Sequence, residues 1–123
     1  MSGRLTDDQS IYLQIGRMIE TDILRGILLE EERAPSSNEL AKRYTINPAT
    51  AAKGLNLLVE EGILYKKRGI GMFVSPGATE KIRQRRKEEF YHQQLRELLD
   101  EAQRLGITKE ELIDQINKRG EEK

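Results

Sequence analysis

Two short runs carry residue types suited to binding rather than to breaking bonds. Asn47-Pro-Ala-Thr50 followed by Lys53 sets an amide, a hydroxyl and an ammonium along the start of one helix. Lys66-Lys-Arg-Gly-Ile-Gly71 sets three cations beside two glycines. Amides and hydroxyls pair with base edges or phosphate oxygens, and cations neutralise phosphates. Ser36 and Asn38 add a second hydroxyl and amide a little upstream. The groups that catalysis needs are scarce. There is no cysteine, the one histidine is His92, and no carboxylate pair falls in a plausible cleft. His92 sits among Phe90, Tyr91, Gln93 and Gln94 without further ligands at matched spacing, so it reads as a helix histidine. An enzyme is the weakest reading, and no metal or cofactor is expected.

The elements that would position these residues are legible. Ser36 stands three residues before Glu39, a capping box that opens a short helix with Leu40, Ala41 and Tyr44 on its apolar side. Asn47 is a second N-cap, and Pro48 takes the first helical position, where a missing N–H costs nothing. Ala51, Leu55, Leu58 and Val59 then fall on one buried stripe, and Gly62 is the stop. Two helices joined so tightly make a helix-turn-helix, whose second helix commonly enters the DNA major groove. Residues 63–75 follow as a hairpin, with strands near 63–67 and 72–75 and a tip near 68–71. A basic hairpin after a helix-turn-helix is a wing, placed to lie along phosphates or enter the minor groove.

Ahead of this unit, Ile11, Ile15, Ile19 and Ile23 step by four with Met18 beside them, a helix from about Gln9 to Arg25 ended by Gly26. Residues 1–8 read as a frayed polar start, with Asp7 or Asp8 near the helix dipole. Ile27 to Ala34 is a loop or short extended piece holding Glu30, Glu31 and Glu32. The expected core gathers Ile15, Ile19, Ile23, Leu40, Leu55, Leu58, Leu64 and Phe73.

Ser75-Pro-Gly77 is punctuation. The expected domains are 1–76, a winged helix-turn-helix, and 77–123, a two-helix tail; the fold class is mainly α with a small β-hairpin. A long helix over 78–105 begins as a solvated charged face and ends in a heptad-type seam of Tyr91, Leu95, Leu98, Ala102 and Leu105. Thr108 and Glu111 form another capping box, opening a last helix with Leu112, Ile113 and Ile116 on one side. This αα-hairpin cannot bury its own seam, so it must pack on the front domain or on another chain; a second copy of the chain is the expected partner, since a two-fold dimer would bury both seams. It is too short to enclose a metabolite pocket, which leaves any small-molecule effector unidentified.

The totals constrain the partner. The 123 residues carry 21 Lys+Arg against 21 Asp+Glu, balanced 10 to 10 over 1–76 and 11 to 11 over 77–123. That balance opposes a strongly basic, non-specific nucleic-acid binder but not specific binding through local cations. It also leaves room for a rival, a winged-helix protein-interaction module that never touches DNA. No apolar run reaches the roughly 18 residues of a membrane span, and no signal-peptide core opens the sequence. A cytoplasmic location and no membrane partner are expected.

Residues 10–76 resemble the N-terminal domain of the GntR family of bacterial transcription regulators. The resemblance is carried by Ile11-Tyr-Leu-Gln-Ile15, Gly26-Ile-Leu28, Ala34-Pro-Ser-Ser-Asn-Glu-Leu-Ala41, Ile46-Asn-Pro-Ala-Thr50, Leu58-Val-Glu-Glu-Gly-Ile63 and Gly69-Ile-Gly-Met-Phe-Val74. The short tail is similar to that of the YtrA subfamily. The resemblance implies a dimeric repressor of an inverted-repeat operator, often that of its own operon with ABC-transporter genes. It also implies that Asn47, Ala49 and Thr50 open the recognition helix, that Lys53 and the Ser36 helix start take phosphates, and that Lys67, Arg68 and Gly69 form the wing. Three positions depart from the family pattern. Asn38 stands where Arg often reads a base, Ala52 where Arg or a polar residue is common, and Gly54 where Ala is usual. Glycine at that last position costs the helix about 1 kcal/mol.

Overall fold

The computed structural model describes residues 10–120. The elements run α1 (Ile11–Leu24), α2 (Ser37–Tyr44), α3 (Pro48–Glu60), β1 (Leu64–Lys67), β2 (Gly71–Val74), α4 (Ala78–Glu89), a π-helical segment (Phe90–Leu95), α5 (Arg96–Arg104) and α6 (Lys109–Gly120). The expected dipole partners Asp7 and Asp8, and the frayed start over 1–8, lie outside the described residues. The chain divides into two compact units, 1–84 and 85–123.

In the first unit the helix-turn-helix has the expected caps. The Ser36 hydroxyl accepts from the Glu39 amide at 3.1 Å, and the Glu39 carboxylate accepts from the Ser36 amide at 2.8 Å. Asn47 Oδ1 accepts from the Ala49 amide at 2.8 Å, with Pro48 at the first helical position. Between the two helices Thr45 adopts a left-handed conformation with φ 53°, closing α2 within one residue. The α1–α3 crossing is close because two glycines meet there. A Cβ added to Gly54 would stand 2.8 Å from the Tyr12 carbonyl oxygen, and one added to Gly16 would stand 3.7 Å from the Gly54 carbonyl oxygen. The helix-weakening glycine of α3 therefore has a packing role.

The strands are antiparallel, with Leu64↔Val74, Tyr65↔Phe73, Lys66↔Met72 and Lys67↔Gly71 opposite one another. The segment before α2 joins their edge. Arg33 bridges Phe73, the Ala34 amide donates to the Met72 carbonyl at 2.8 Å, and Glu31 and Val74 are bonded in the same ladder. The loop is thus an extended third edge rather than a free connection. Its glutamates are engaged. Glu30 accepts from the Gly77 and Thr79 amides at 2.9 and 3.1 Å, Glu31 from the Tyr65 hydroxyl at 3.3 Å, and Glu32 from the Leu29 amide at 2.8 Å. Glu30 caps α4, which places its own start in the first unit.

The core contains Ile15, Ile19, Ile23, Leu40, Leu55, Leu58 and Leu64 as expected, joined by Ile63, Val74, Ala78 and Ile82. Phe73 is corrected. It is half-buried on the opposite face of the hairpin, stacked on Tyr65, and Val74 takes the core place because adjacent strand residues point to opposite sides. Ala78 and Ile82 belong to this core, so α4 starts within the first compact unit, which runs to Gln84.

In the second unit the long helix of the sequence reading is interrupted. Residues Phe90–Leu95 are π-helical, so the step from Tyr91 to Leu95 is not the α-helical step on which a heptad seam rests. Ala102 is buried and Leu95 half-buried, while Tyr91, Leu98 and Leu105 are exposed. Thr108 and Glu111 form the expected capping box, at 2.9 and 3.1 Å.

Candidate nucleic-acid interface

The exposed side of α3 is a single stripe. Ala49, Lys53, Asn56 and Glu60 are solvent-facing at helical spacing, with Thr50 and Ala52 half-buried on its flanks. The stripe begins at the Asn47 cap, where Asn47 is itself exposed. Asn56 was not among the residues singled out from the sequence. Its spacing of seven from Ala49 is the signal that places it there.

Lys53 is oriented by its neighbour. Its ammonium stands 4.1 Å from the centroid of the Tyr12 ring of α1. The contact leaves the charge in water and limits its rotamers.

The α2 start holds Ser36 and Asn38. Asn38 is exposed at the second position of the helix. The Ser36 amide and hydroxyl are both engaged by Glu39. The bonds from the Ser36 amide and hydroxyl hold the Glu39 carboxyl below its ordinary range. Glu30 is likewise lowered, first by the Gly77 amide and then by Thr79.

The hairpin sorts its cations by strand alternation. Lys67 lies on the Phe73 face, its ammonium 4.5 Å from that ring's centroid. Lys66 lies on the other face, opposite Met72 and turned toward α3. Arg68 and Gly69 form the exposed tip. The Ile70 amide donates to the Lys67 carbonyl at 3.0 Å, and Gly69 has φ 76°, which a glycine adopts without strain. Ile70 is 60% exposed at this tip. A cavity of about 300 Å³ separates the hairpin from α3 and the start of α2. The structure therefore brings Asn47, Ala49, Thr50 and Lys53 onto one helix end, and it sets Lys66 rather than Lys67 on the wing face nearest that helix.

Among the described residues, no group of three or more His, Cys, Asp or Glu could hold a metal ion, and no helix is long and apolar enough to cross a membrane.

Residues 11–74 match the family model described as bacterial regulatory proteins, gntR family. The HTH-type transcriptional repressor YtrA of Bacillus subtilis (strain 168) is 32% identical over 106 residues, 86% of this chain and 81% of that protein. A solved transcriptional regulator of the GntR family from Bacteroides thetaiotaomicron is similar with a TM-score of 0.74 and 36% identity, over 91% of this chain and 96% of that one. The AraR DNA-binding domain, solved in complex with operator ORX1, is similar with a TM-score of 0.52 and 30% identity, over 61% of this chain and 92% of that one.

Proposed function

The chain belongs to the GntR family of bacterial regulatory proteins, and from that membership we propose that it is a dimeric repressor acting on an inverted-repeat operator. It is a winged-helix transcriptional regulator of the YtrA-like kind. The observation that carries the reading is the stripe of Ala49, Lys53 and Asn56 beside a basic hairpin. A helix with small and amide side chains on its outer face can approach base edges, and cations on either side fix it to the backbone.

The DNA-binding set is Ser36, Asn38, Asn47, Ala49, Thr50, Lys53, Lys67, Arg68 and Gly69. Asn47, Ala49 and Thr50 enter the major groove, Lys53 and the helix start at Ser36 take phosphates, and the Arg68–Gly69 tip follows the minor groove. Residues 1–84 form the DNA-binding domain and 85–123 the dimerisation part. Support for the dimer comes from apolar side chains of the second unit that face solvent: Phe90, Tyr91, Leu98, Leu105, Ile113 and Ile116 are each exposed by 46% or more. A two-fold partner would cover such a face. The protein works in the cytoplasm, where the operator is, and the resemblance to the YtrA subfamily extends the proposal to an operon with ABC-transporter genes.

Selection of binding sites from random DNA tests the reading. The expected product is an inverted repeat with half-site centres about 34–36 Å apart, or a multiple of that. A single asymmetric motif would overturn the two-fold operator, and salt-independent or absent binding would favour a protein-interaction module. Light scattering should give a dimer for the full chain and a monomer for a chain ending at Gln84. Monomers in both cases would overturn the dimer.

A further inference from the structure

The face of the hairpin turned away from the core gathers residues that are distant in sequence. Tyr65 and Lys67 of β1 share it with Phe73 and Gly71 of β2, because opposite residues of a ladder point to the same side. Arg33 joins them from the other edge of β2, where it pairs with Phe73. Leu64 and Val74 point the other way, into the core.

Both cations of this face reach over β2. The Lys67 ammonium stands 4.5 Å from the centroid of the Phe73 ring. Arg33 Nε lies 2.9 Å from where a Cβ of Gly71 would be, and its Nη2 lies 3.5 Å away. The missing side chain of Gly71 leaves the space that the guanidinium fills. Gly71 and Phe73 are successive residues on this face of β2, so the two charges flank a single step of the strand. Arg33 and Lys67 are both exposed, and neither forms an ion pair among the described residues. The carboxylates nearby are engaged. Glu31 accepts from the Tyr65 hydroxyl at the end away from the tip, and Glu39, which feels the Arg33 charge, accepts from the Ser36 amide. Two like charges held on one small face repel, and an anion between them relieves that repulsion.

We propose that Arg33 and Lys67 together hold one backbone phosphate of the operator on the outer face of the wing. The inference rests on the DNA-binding reading above. Arg33 leads in three residues to the Ser36 helix start, and Lys67 adjoins the Arg68–Gly69 tip, the two places which that reading sets against DNA. A guanidinium offers a fork of donors to a phosphate, and the lysine adds a point charge steadied by the Phe73 ring.

The test uses the full chain and its selected operator. Arg33→Ala and Lys67→Ala should each weaken binding to operator and to random duplex by roughly tenfold or more. The double variant gives up one phosphate per chain, so in a dimer the slope of log affinity against log salt should fall by roughly 1.8. A fall of about 3.6 would mean two separate phosphates and overturn the shared one. Lys109→Ala removes one exposed charge from the tail and should leave affinity and slope unchanged. An equal loss there would reduce the effect to net charge and overturn the proposal. Operators carrying one neutral methylphosphonate, moved along each strand, locate the phosphate. At one position per half-site the loss seen with the natural chain should shrink in each single variant and vanish in the double. Different positions for the two single variants would overturn the shared contact. If the natural chain binds duplexes and both variants bind equally well, the shared phosphate alone fails. If the natural chain binds no duplex, the DNA reading fails with it.

Discussion

The Lys53 ammonium lies over the Tyr12 ring, 4.1 Å from its centroid, so α1 orients a charge carried by α3. A lysine held this way loses less rotamer freedom when it meets a phosphate. Lys53→Ala should weaken binding to operator and random duplex by similar factors. In a dimer the salt slope should fall by roughly 1.8. Tyr12→Leu keeps the charge but removes the ring, and should cost about 0.5–1 kcal/mol of affinity with the slope unchanged. Salt titrations of the two variants separate the roles. An unchanged slope in Lys53→Ala would mean that the lysine reads a base.

The two glycines at the α1–α3 crossing should respond in opposite directions to alanine. Helix propensity favours alanine at each by up to about 1 kcal/mol. At Gly16 the new methyl meets only ordinary contacts, 3.7 Å or longer, so Gly16→Ala should be stabilising. At Gly54 it meets the Tyr12 carbonyl at 2.8 Å and Ile15 Cγ2 at 3.1 Å. Backbone must move, and overpacking costs about 1–3 kcal/mol, so Gly54→Ala should be net destabilising. Urea unfolding of both variants decides it. A stabilised Gly54→Ala would show that the helices separate freely.

Acid should loosen the start of α4 through Glu30. Its folded-state pKa lies below the ordinary carboxylate value because the Gly77 and Thr79 amides bond its ionised form. A depressed folded pKa contributes stability above the unfolded value, near 4.3, and that contribution is lost as pH falls through the folded one. Glu30→Gln should therefore be less stable than the natural chain at pH 7. The two thermal unfolding curves should converge below the carboxylate range. A constant gap across that range would show that charge at Glu30 is immaterial.

Asn38 stands exposed where the family pattern often has arginine. Asparagine matches adenine N6/N7 and arginine matches guanine O6/N7, each worth about 1–3 kcal/mol of discrimination. Asn38→Arg should shift one position per half-site toward guanine in binding-site selection. An unchanged preference would place Asn38 against solvent or phosphate.

The helix starts were legible because caps are local chemistry. Ser36 with Glu39, Asn47 with Pro48, and Thr108 with Glu111 each declare a first turn within a few residues. The hairpin and most of the core followed from residue type and spacing. What escaped depends on contacts distant in sequence. The Glu30 cap on Gly77 and Thr79 joins residues almost fifty positions apart, and the Lys53–Tyr12 contact crosses two helices. Arg33 read as part of a loop because its pairing with Phe73 is invisible until the hairpin is in place. Gly54 looked like a weak helix residue because propensity counts only its own helix. Phe73 faces away from the core, as its register beside the inward pair Leu64 and Val74 requires. Nothing in the composition of Phe90–Leu95 marked the change of helical pitch.

The alternation of Lys66 and Lys67 makes chain length a constraint on the wing. Leu64 and Lys66 share one face of β1, while Tyr65 and Lys67 share the other. A residue inserted among Arg68, Gly69 and Ile70 would lengthen the tip and leave both faces as they are. A residue deleted between Ile63 and Lys66 would send Lys66 to the Phe73 side and turn Lys67 toward α3. The same deletion would break the inward alignment of Leu64 with Val74. Variation in length should accordingly collect at the tip, whereas β1 should tolerate exchange of one side chain for another but not a change in their number.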